Sequence, residues 1–486
     1  MKHFKQYFIV LTLAIVLINC SDNSEVIPQN LEAHDFVWRS LNAYYFWQDS
    51  ITDIQDFRFS SQKDLNKYLA TFNTPNDLLN SLMHSNDVGT QQTHLIDDFT
   101  NLSTPPLRTA FTNGIEFGLI ELKETDTLFG YVSRVLPNSN ASTTTIKRGD
   151  IFYAVDDVKL TKNNFNDLLF SNNTNFQLNM ADFSIDTVIS NGLLVDLTKG
   201  NYSYPPISIS KTLNYSGQNI GYLMYDNDFS NNYIADINQA FSQFVADGAT
   251  DLILDLRYNI GGSGFAKTMT YLASMITGQF SDEILFKERW NSKAQSYFTA
   301  SQQDSIITKF PLTLPDGTSI NGLNLNRVFI INNRGMQSSS VELLINSLKP
   351  HIEVHLIGFN TNGSDKGNLM LFDSSNYNQT VNMNTNHTYA LQANVLQFSN
   401  KEDVTFTNGF TPLINLCEEN ILTLGVLGET DEPFLNRVLE LITTGSAGID
   451  LLCPNNMIEV FNTVKSRYKR DTGLEVTRVL PDGPIN

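Results

Sequence analysis

Leu254-Asp255-Leu256-Arg257-Tyr258-Asn259-Ile260-Gly261-Gly262 continues an apolar run, Leu252-Ile253-Leu254, into a pair of glycines. A short unbroken apolar run closed by a glycine turn reads as a strand buried on both faces. Glycines at the carboxyl end of such a strand leave backbone amides free to point at an anion. Amides held that way stabilise the oxyanion of an acyl-transfer transition state by about 3–4 kcal/mol per donor. Taken alone, the same pair also serves as an ordinary strand-to-helix turn.

The surrounding sequence repeats one theme. Gly221 to Tyr225 reads as a strand, and Ile234, Ile237, Phe241, Phe244 and Val245 mark one face of a helix that stops at Gly248. Phe265, Met269, Leu272 and Ile276 mark the helix after the glycines. Val328 to Ile331 is a strand, Val341, Leu344, Ile345 and Leu348 lie on a helix, and Val354 to Ile357 is the next strand. Alternation of this kind predicts an α/β core with a largely parallel sheet over residues 201–435, whose chemistry lies beyond the carboxyl ends of the strands.

Gly335-Met336-Gln337-Ser338-Ser339-Ser340-Val341-Glu342 falls between a strand and a helix of that core. A hydroxyl at such a corner is expected to be exposed, where the helix's partial positive end favours developing negative charge. Serines at helix starts are commonly caps, so the run gains meaning only beside the glycine segment. Together the two resemble the C-terminal processing peptidases, the tail-specific serine proteases. Asp255 to Gly262 resembles that family's sheet-to-loop motif, and the serine run with Glu342 resembles its nucleophile motif. The resemblance implies Ser339 as nucleophile and the amides of Ser340 and of Gly261 or Gly262 as the oxyanion hole. The family's base is the Lys of a Gly-Lys pair, and in register with Ser339 that pair reads Gly363-Ser364. A serine hydroxyl does not accept a proton at neutral pH without activation. Lys366, two residues on, is the candidate replacement, with Asp365 beside it.

Other titratable residues carry weaker readings. His94 is a second candidate base, since relatives in the wider superfamily recruit an N-terminal histidine. His351 and His355 share a metal-pair spacing but straddle a helix end and a strand start, so they read as structural. Lys267 reads as a solvated helix face, and Asp97 with Asp98 as a solvated acidic pair.

Upstream of the core, Phe36, Val37, Leu41, Tyr44, Tyr45 and Trp47 recur at helical spacing, and Leu78, Leu79 and Leu82 repeat it, giving a helical N-terminal domain over 36–105. Residues 106–200 change to short strands at Ile115 to Ile120, Tyr131 to Leu136 and Asp150 to Val155, with a turn or helix start at Asn138 to Ser142. Their order resembles a PDZ domain, which implies a peptide-binding strand edge at Gly114, Ile115, Phe117 and Gly118. Residues 436–486 form a C-terminal extension holding a helix near Val438 to Thr444 and a basic patch from Lys465 to Arg470.

Lys2 and Lys5 precede an apolar run, Tyr7 to Ile18, too short to span a membrane, so residues 1–19 read as a signal peptide. Leu17-Ile18-Asn19-Cys20 resembles a lipoprotein lipobox, which implies lipid on Cys20, a polar leader over 20–35, and an exported chain held at a membrane. Cys417 and Cys453 remain, too few for a zinc site, so neither metal nor cofactor is expected. A net charge of -19 opposes nucleic-acid binding.

Two functions follow. One is a serine endopeptidase acting on peptides or unfolded protein tails, with Ser339 as nucleophile and Lys366 as base. The other is a non-catalytic descendant that holds peptides at the PDZ-like edge and the old cleft. A nutrient- or glycan-binding lipoprotein is a third class, for which the sequence offers no sugar platform.

Overall fold

The computed structural model describes residues 26–90, 92–101, 109–122, 125–184, 187–205, 207–226, 233–259, 266–333, 338–378, 382–416, 419, 421–446, 458–463, 466, 474–476, 478 and 480–481. Cys20, Gly261, Gly262, Cys417, Cys453 and all of the Lys465–Arg470 run except Ser466 lie outside them. Among the described residues no helix is long and apolar enough to cross a membrane.

The N-terminal region is helical, as its apolar spacing requires. Glu32–Tyr44 buries Phe36, Val37, Leu41 and Tyr44 on one side. Gln62–Leu69 and Pro75–Leu82 follow as separate helices. Thr74 and Asp77 close a reciprocal capping box at the start of the last one, with Pro75 in its first turn where no amide partner is needed.

The core has two sheets. In the first, Ile207–Tyr215, Gln218–Tyr225, Asp251–Asp255, Arg327–Ile331, Glu353–Gly358 and Ile414–Asn415 lie side by side in that order. Every junction after the first is parallel. The second sheet, in the order Ile307–Lys309, Ile284–Trp290, Ala390–Asn400, Lys366–Phe372 and Leu474–Glu475, is antiparallel except at its last junction. The largely parallel expectation therefore describes one of the two. The strand bearing Lys366 belongs to the other, which alternation with helices gave no reason to foresee.

Residues 115–198 form an antiparallel sheet of Ile115–Glu121, Leu128–Val135, Ile151–Val155, Asn175–Ser184 and Thr187–Thr198. The Asn138 to Ser142 stretch makes a single 3-10 turn, Ala141–Thr143. Pro433–Thr444 packs Phe434, Leu435, Val438 and Leu439 against Tyr222, Ile253 and Phe329 of the parallel sheet. The core thus runs through residue 444, past the boundary expected at 435.

The carboxyl end of Asp251–Asp255 is fixed by charge. Arg257 is 0% exposed, as is Asp255, and its guanidinium meets Asp255 Oδ2 at 2.8 Å. It donates to Glu432 Oε1 and Oε2 at 2.7 and 3.0 Å and to Glu419 Oε1 at 3.1 Å. Glu432 also caps Pro433–Thr444 by accepting from the Leu435 amide. Arg148, from the antiparallel domain, donates to Glu419 at 2.7 Å and to the Tyr258 hydroxyl at 2.7 Å. One arginine thereby ties the family-like motif to the C-terminal helix and, through Glu419, to the neighbouring sheet. Removing one side of such a buried pair costs about 3–5 kcal/mol, because the other charge stays behind unpaired.

Burial opposes ionisation of Glu419, but Arg148 and Arg257 outweigh it and hold its carboxyl down at about 2. A folded value below the roughly 4.3 of a free glutamate means its contribution is complete above that pH and is lost as pH falls toward 2. The urea midpoint of the native chain should therefore drop through this window. Glu419→Gln should be less stable at neutral pH and show a visibly shallower acid slope; parallel slopes for the two proteins would contradict this assignment.

Candidate active site

The helix Ser339–Leu348 is buried along its whole length, its apolar side being Val341, Leu344, Ile345 and Leu348. Ser338 precedes it in extended conformation, and its side chain makes no cap hydrogen bond. The serine run is therefore not there to cap the helix. Ser338, Ser339 and Ser340 are 4%, 1% and 2% exposed. This corrects the expectation of an exposed hydroxyl: Ser339 begins the helix as anticipated but is sealed beneath its surroundings. Among the described residues the Ser340 hydroxyl has no hydrogen-bond partner.

Glu342, in the helix's first turn and 3% exposed, joins the helix to the loop that follows strand Glu353–Gly358. Its Oε1 accepts from the Gly363 amide at 2.6 Å and its Oε2 from the Ser364 amide at 2.7 Å. Gly363 has φ +87°, and a Cβ there would stand 2.2 Å from the Thr407 carbonyl oxygen, so only glycine fits this turn. Asn332 exchanges two hydrogen bonds with the Phe359 backbone, and Thr361 does the same with Phe410. The segment that carries Gly363 and Ser364, where the resemblance puts the base, is thus pinned on three sides.

Ser364 occupies that position, and its hydroxyl accepts from Gln92 Nε2 at 2.7 Å. Lys366, first residue of Lys366–Phe372, pairs with Asp365 at 2.5 Å. Its ammonium lies 5.2 Å above the Phe46 ring and 5.7 Å above that of Trp47. Asp365, 1% exposed, also accepts from Gln397 and from Thr407. The Lys366 amine is thus turned toward Asp365 and the two rings. Ser364 and Lys366 open into one cavity of about 870 Å³, lined also by Trp47, Gln92, Asn394 and Thr407.

The strand edge implied for peptide binding is in place but occupied. Ile458–Asn462, from the C-terminal extension, pairs antiparallel with Ile115–Glu121, setting Asn462 opposite Gly118 and Glu459 opposite Ile120. Of the edge expected at Gly114, Ile115, Phe117 and Gly118, the extension thus takes up Phe117 and Gly118.

Two family models fit these observations: the peptidase S41 N-terminal domain over residues 32–100 and peptidase family S41 over residues 219–412, together more than half of the chain. The chain belongs to peptidase family S41. By family it is a serine-type peptidase. A candidate S41 protease from Bacteroides fragilis has a similar fold, with a TM-score of 0.63 at 22% identity over 84% of this chain and 96% of that one. The photosystem II D1 C-terminal processing protease is also matched, at 17% identity over 85% of this chain and 98% of that one, with a TM-score of 0.46. No curated protein matches in sequence.

The S41 catalytic region thus contains Ser339, Ser340, Ser364 and Lys366, while Gly261 and Gly262 lie outside the described residues. His94 opens strand His94–Ile96 and pairs with Gln392; it is Gln92 that reaches Ser364. The sequence carried no signal for Gln92, which meets its partner across 272 residues. His351 packs against Phe280 and Phe310, and His355 stacks on Phe329, both structural as read. Asp98 caps a short turn through Thr100 and Asn101 rather than forming a dyad with Asp97. Among the described residues no group of His, Cys, Asp and Glu has the arrangement of a metal site.

The Glu342 clamp is testable by an isosteric change. Glu342→Gln replaces one acceptor oxygen by a donor facing an amide, which should cost about 1.5–3 kcal/mol. It should also speed hydrogen exchange at the Gly363 and Ser364 amides; unchanged exchange at both would exclude the clamp.

Proposed function

We propose that the chain is an exported, lipid-anchored serine endopeptidase of the C-terminal processing type, held in a resting arrangement. Ser339 is the nucleophile, the amides of Ser340 and of Gly261 or Gly262 form the oxyanion hole, and Lys366, parted from Asp365 and having given a proton to solvent, takes the serine's proton as the neutral amine. Peptides or unfolded protein tails are the substrates, the antiparallel domain acts as a PDZ-like peptide receiver, and no cofactor is required. The observation that carries this reading is Glu342, which fastens the base-bearing loop to the same helix turn that begins with Ser339. Cys20 supplies the anchor, and the net charge of -19 disfavours nucleic acid as a partner.

The ion pair between Lys366 and Asp365, with Ser364 in the base position, favours a second reading: an S41 scaffold that holds peptides without cutting them. Hydrolysis of an unstructured fluorogenic protein at pH 8 to 9 separates the two. On the first reading Asp365→Asn raises turnover by about 10-fold or more by freeing the amine, and Ser339→Ala abolishes it. Silence in both the native chain and Asp365→Asn, with turnover appearing only in Ser364→Lys, would decide for the second.

A further inference from the structure

The strand Ile458–Asn462 does more than cover an edge. Its neighbour Thr463 turns its hydroxyl onto Phe117, accepting from the amide at 2.8 Å and donating to the carbonyl at 3.1 Å, so one side chain satisfies both backbone groups. Phe461 sits in an aromatic nest, with ring centroids 5.1 Å from Phe170, 5.8 Å from Phe165 and 6.3 Å from Phe117. Glu459 Oε1 accepts from the Tyr131 hydroxyl at 2.7 Å and from Asn462 Nδ2 at 2.9 Å. A Cβ on Gly118 would stand 2.3 Å from the Tyr131 ring and 2.7 Å from Glu459 Oε1, so the glycine is what lets these groups close over the edge.

The grip is incomplete: Ile458 and Val460 of the same strand are 62% and 38% exposed. Beside Thr463 a cavity of about 370 Å³ remains, walled by Phe117, Leu169, Phe170, Phe176 and Lys199, with room for a bulkier occupant than the resident one. Further on, the chain is bolted down again. Leu474 is fully buried and pairs with Gly367, the residue after Lys366. Arg478 reaches Glu288 and the Ser305 carbonyl and lies over Trp290 and Phe298. A segment that leaves two apolar side chains exposed and is anchored firmly downstream stays at high local concentration even when it lifts off.

We propose that residues 458–463 are a built-in peptide ligand of the S41 chain, occupying its strand-addition site and excluding other peptides until displaced. The site takes an extended segment with an aromatic side chain in the Phe165–Phe170 nest, a hydroxyl two residues on to read the Phe117 backbone, and an acidic group two residues before the aromatic to meet Tyr131. This inference rests on the reading of that edge as the peptide receiver, yet it concerns occupancy alone, so it can fail or hold irrespective of catalysis.

The test uses the full chain and a fluorescein-labelled hexapeptide with the sequence of residues 458–463, followed by fluorescence anisotropy. A double substitution, Phe461→Ala with Thr463→Val, loosens the resident segment. The pair Glu121→Cys and Ile458→Cys, which face each other across the ladder, locks it reversibly as a disulfide. The loosened chain should bind the hexapeptide about 10-fold or more tightly than the native chain. The oxidised locked chain should bind none and return to native behaviour on reduction. Hydrogen exchange should accelerate at the Leu119 amide of the loosened chain while Leu128–Val135 keeps its protection, which shows that the domain remains folded. Equal affinity of loosened and native chains, or undiminished binding by the oxidised form, would overturn the proposal.

Discussion

Arg257 carries its charge with none of its surface in contact with solvent, which is tolerable only because Asp255, Glu419 and Glu432 surround it. Those three carboxylates come from the end of a parallel strand, the polypeptide before the C-terminal helix, and the cap of that helix. Arg148 and Tyr258 extend the network into the antiparallel domain. The stretch that most resembles a peptidase signature is thus first a structural rivet. It fixes where the Asp251–Asp255 strand ends and hence where the chain departs toward the segment bearing Gly261 and Gly262.

The serine side of the site is organised by a second buried carboxylate. Glu342 spends both oxygens on backbone amides of the base-position loop, so the register of that loop against the serine helix is set by hydrogen bonds to a charge, the stronger kind. What the frame presents is closed: Ser339 has almost no exposed surface, Lys366 is engaged by Asp365, and the neighbouring strand edge is filled by the chain's own extension. Ile458–Asn462 pairs with Ile115–Glu121 and Leu474–Glu475 lies beside Gly367, so the C-terminal extension touches both the antiparallel domain and the strand that begins with Lys366.

Much of this architecture is legible from local pattern. The spacing of Val341, Leu344, Ile345 and Leu348, the apolar run at Leu252 to Leu254 and the helical period through Phe36, Val37 and Leu41 each report burial, which repeats with the geometry of the element. The motif residues Asp255, Arg257 and Ser339 were findable for the same reason, being contiguous with such runs. What local pattern could not deliver are pairings across long stretches of chain. Gln92 against Ser364, Arg257 against Glu432 and Phe461 against Phe117 unite residues with no sequence neighbourhood to mark them. The burial of Ser339 is hidden from local pattern on similar grounds: a helix start inside a multidomain core is covered by whatever packs above it, and periodicity does not see that cover.

The account stands on Ser339 being an activatable nucleophile. Its most direct test is intact-mass and peptide-mapping spectrometry of the chain after exposure to a fluorophosphonate, with and without the hexapeptide of residues 458–463 in excess. The account requires a single adduct on the peptide containing Ser339, increased in the Asp365→Asn chain and absent from Ser339→Ala. Labelling at another serine, or none in any of these proteins, would contradict it.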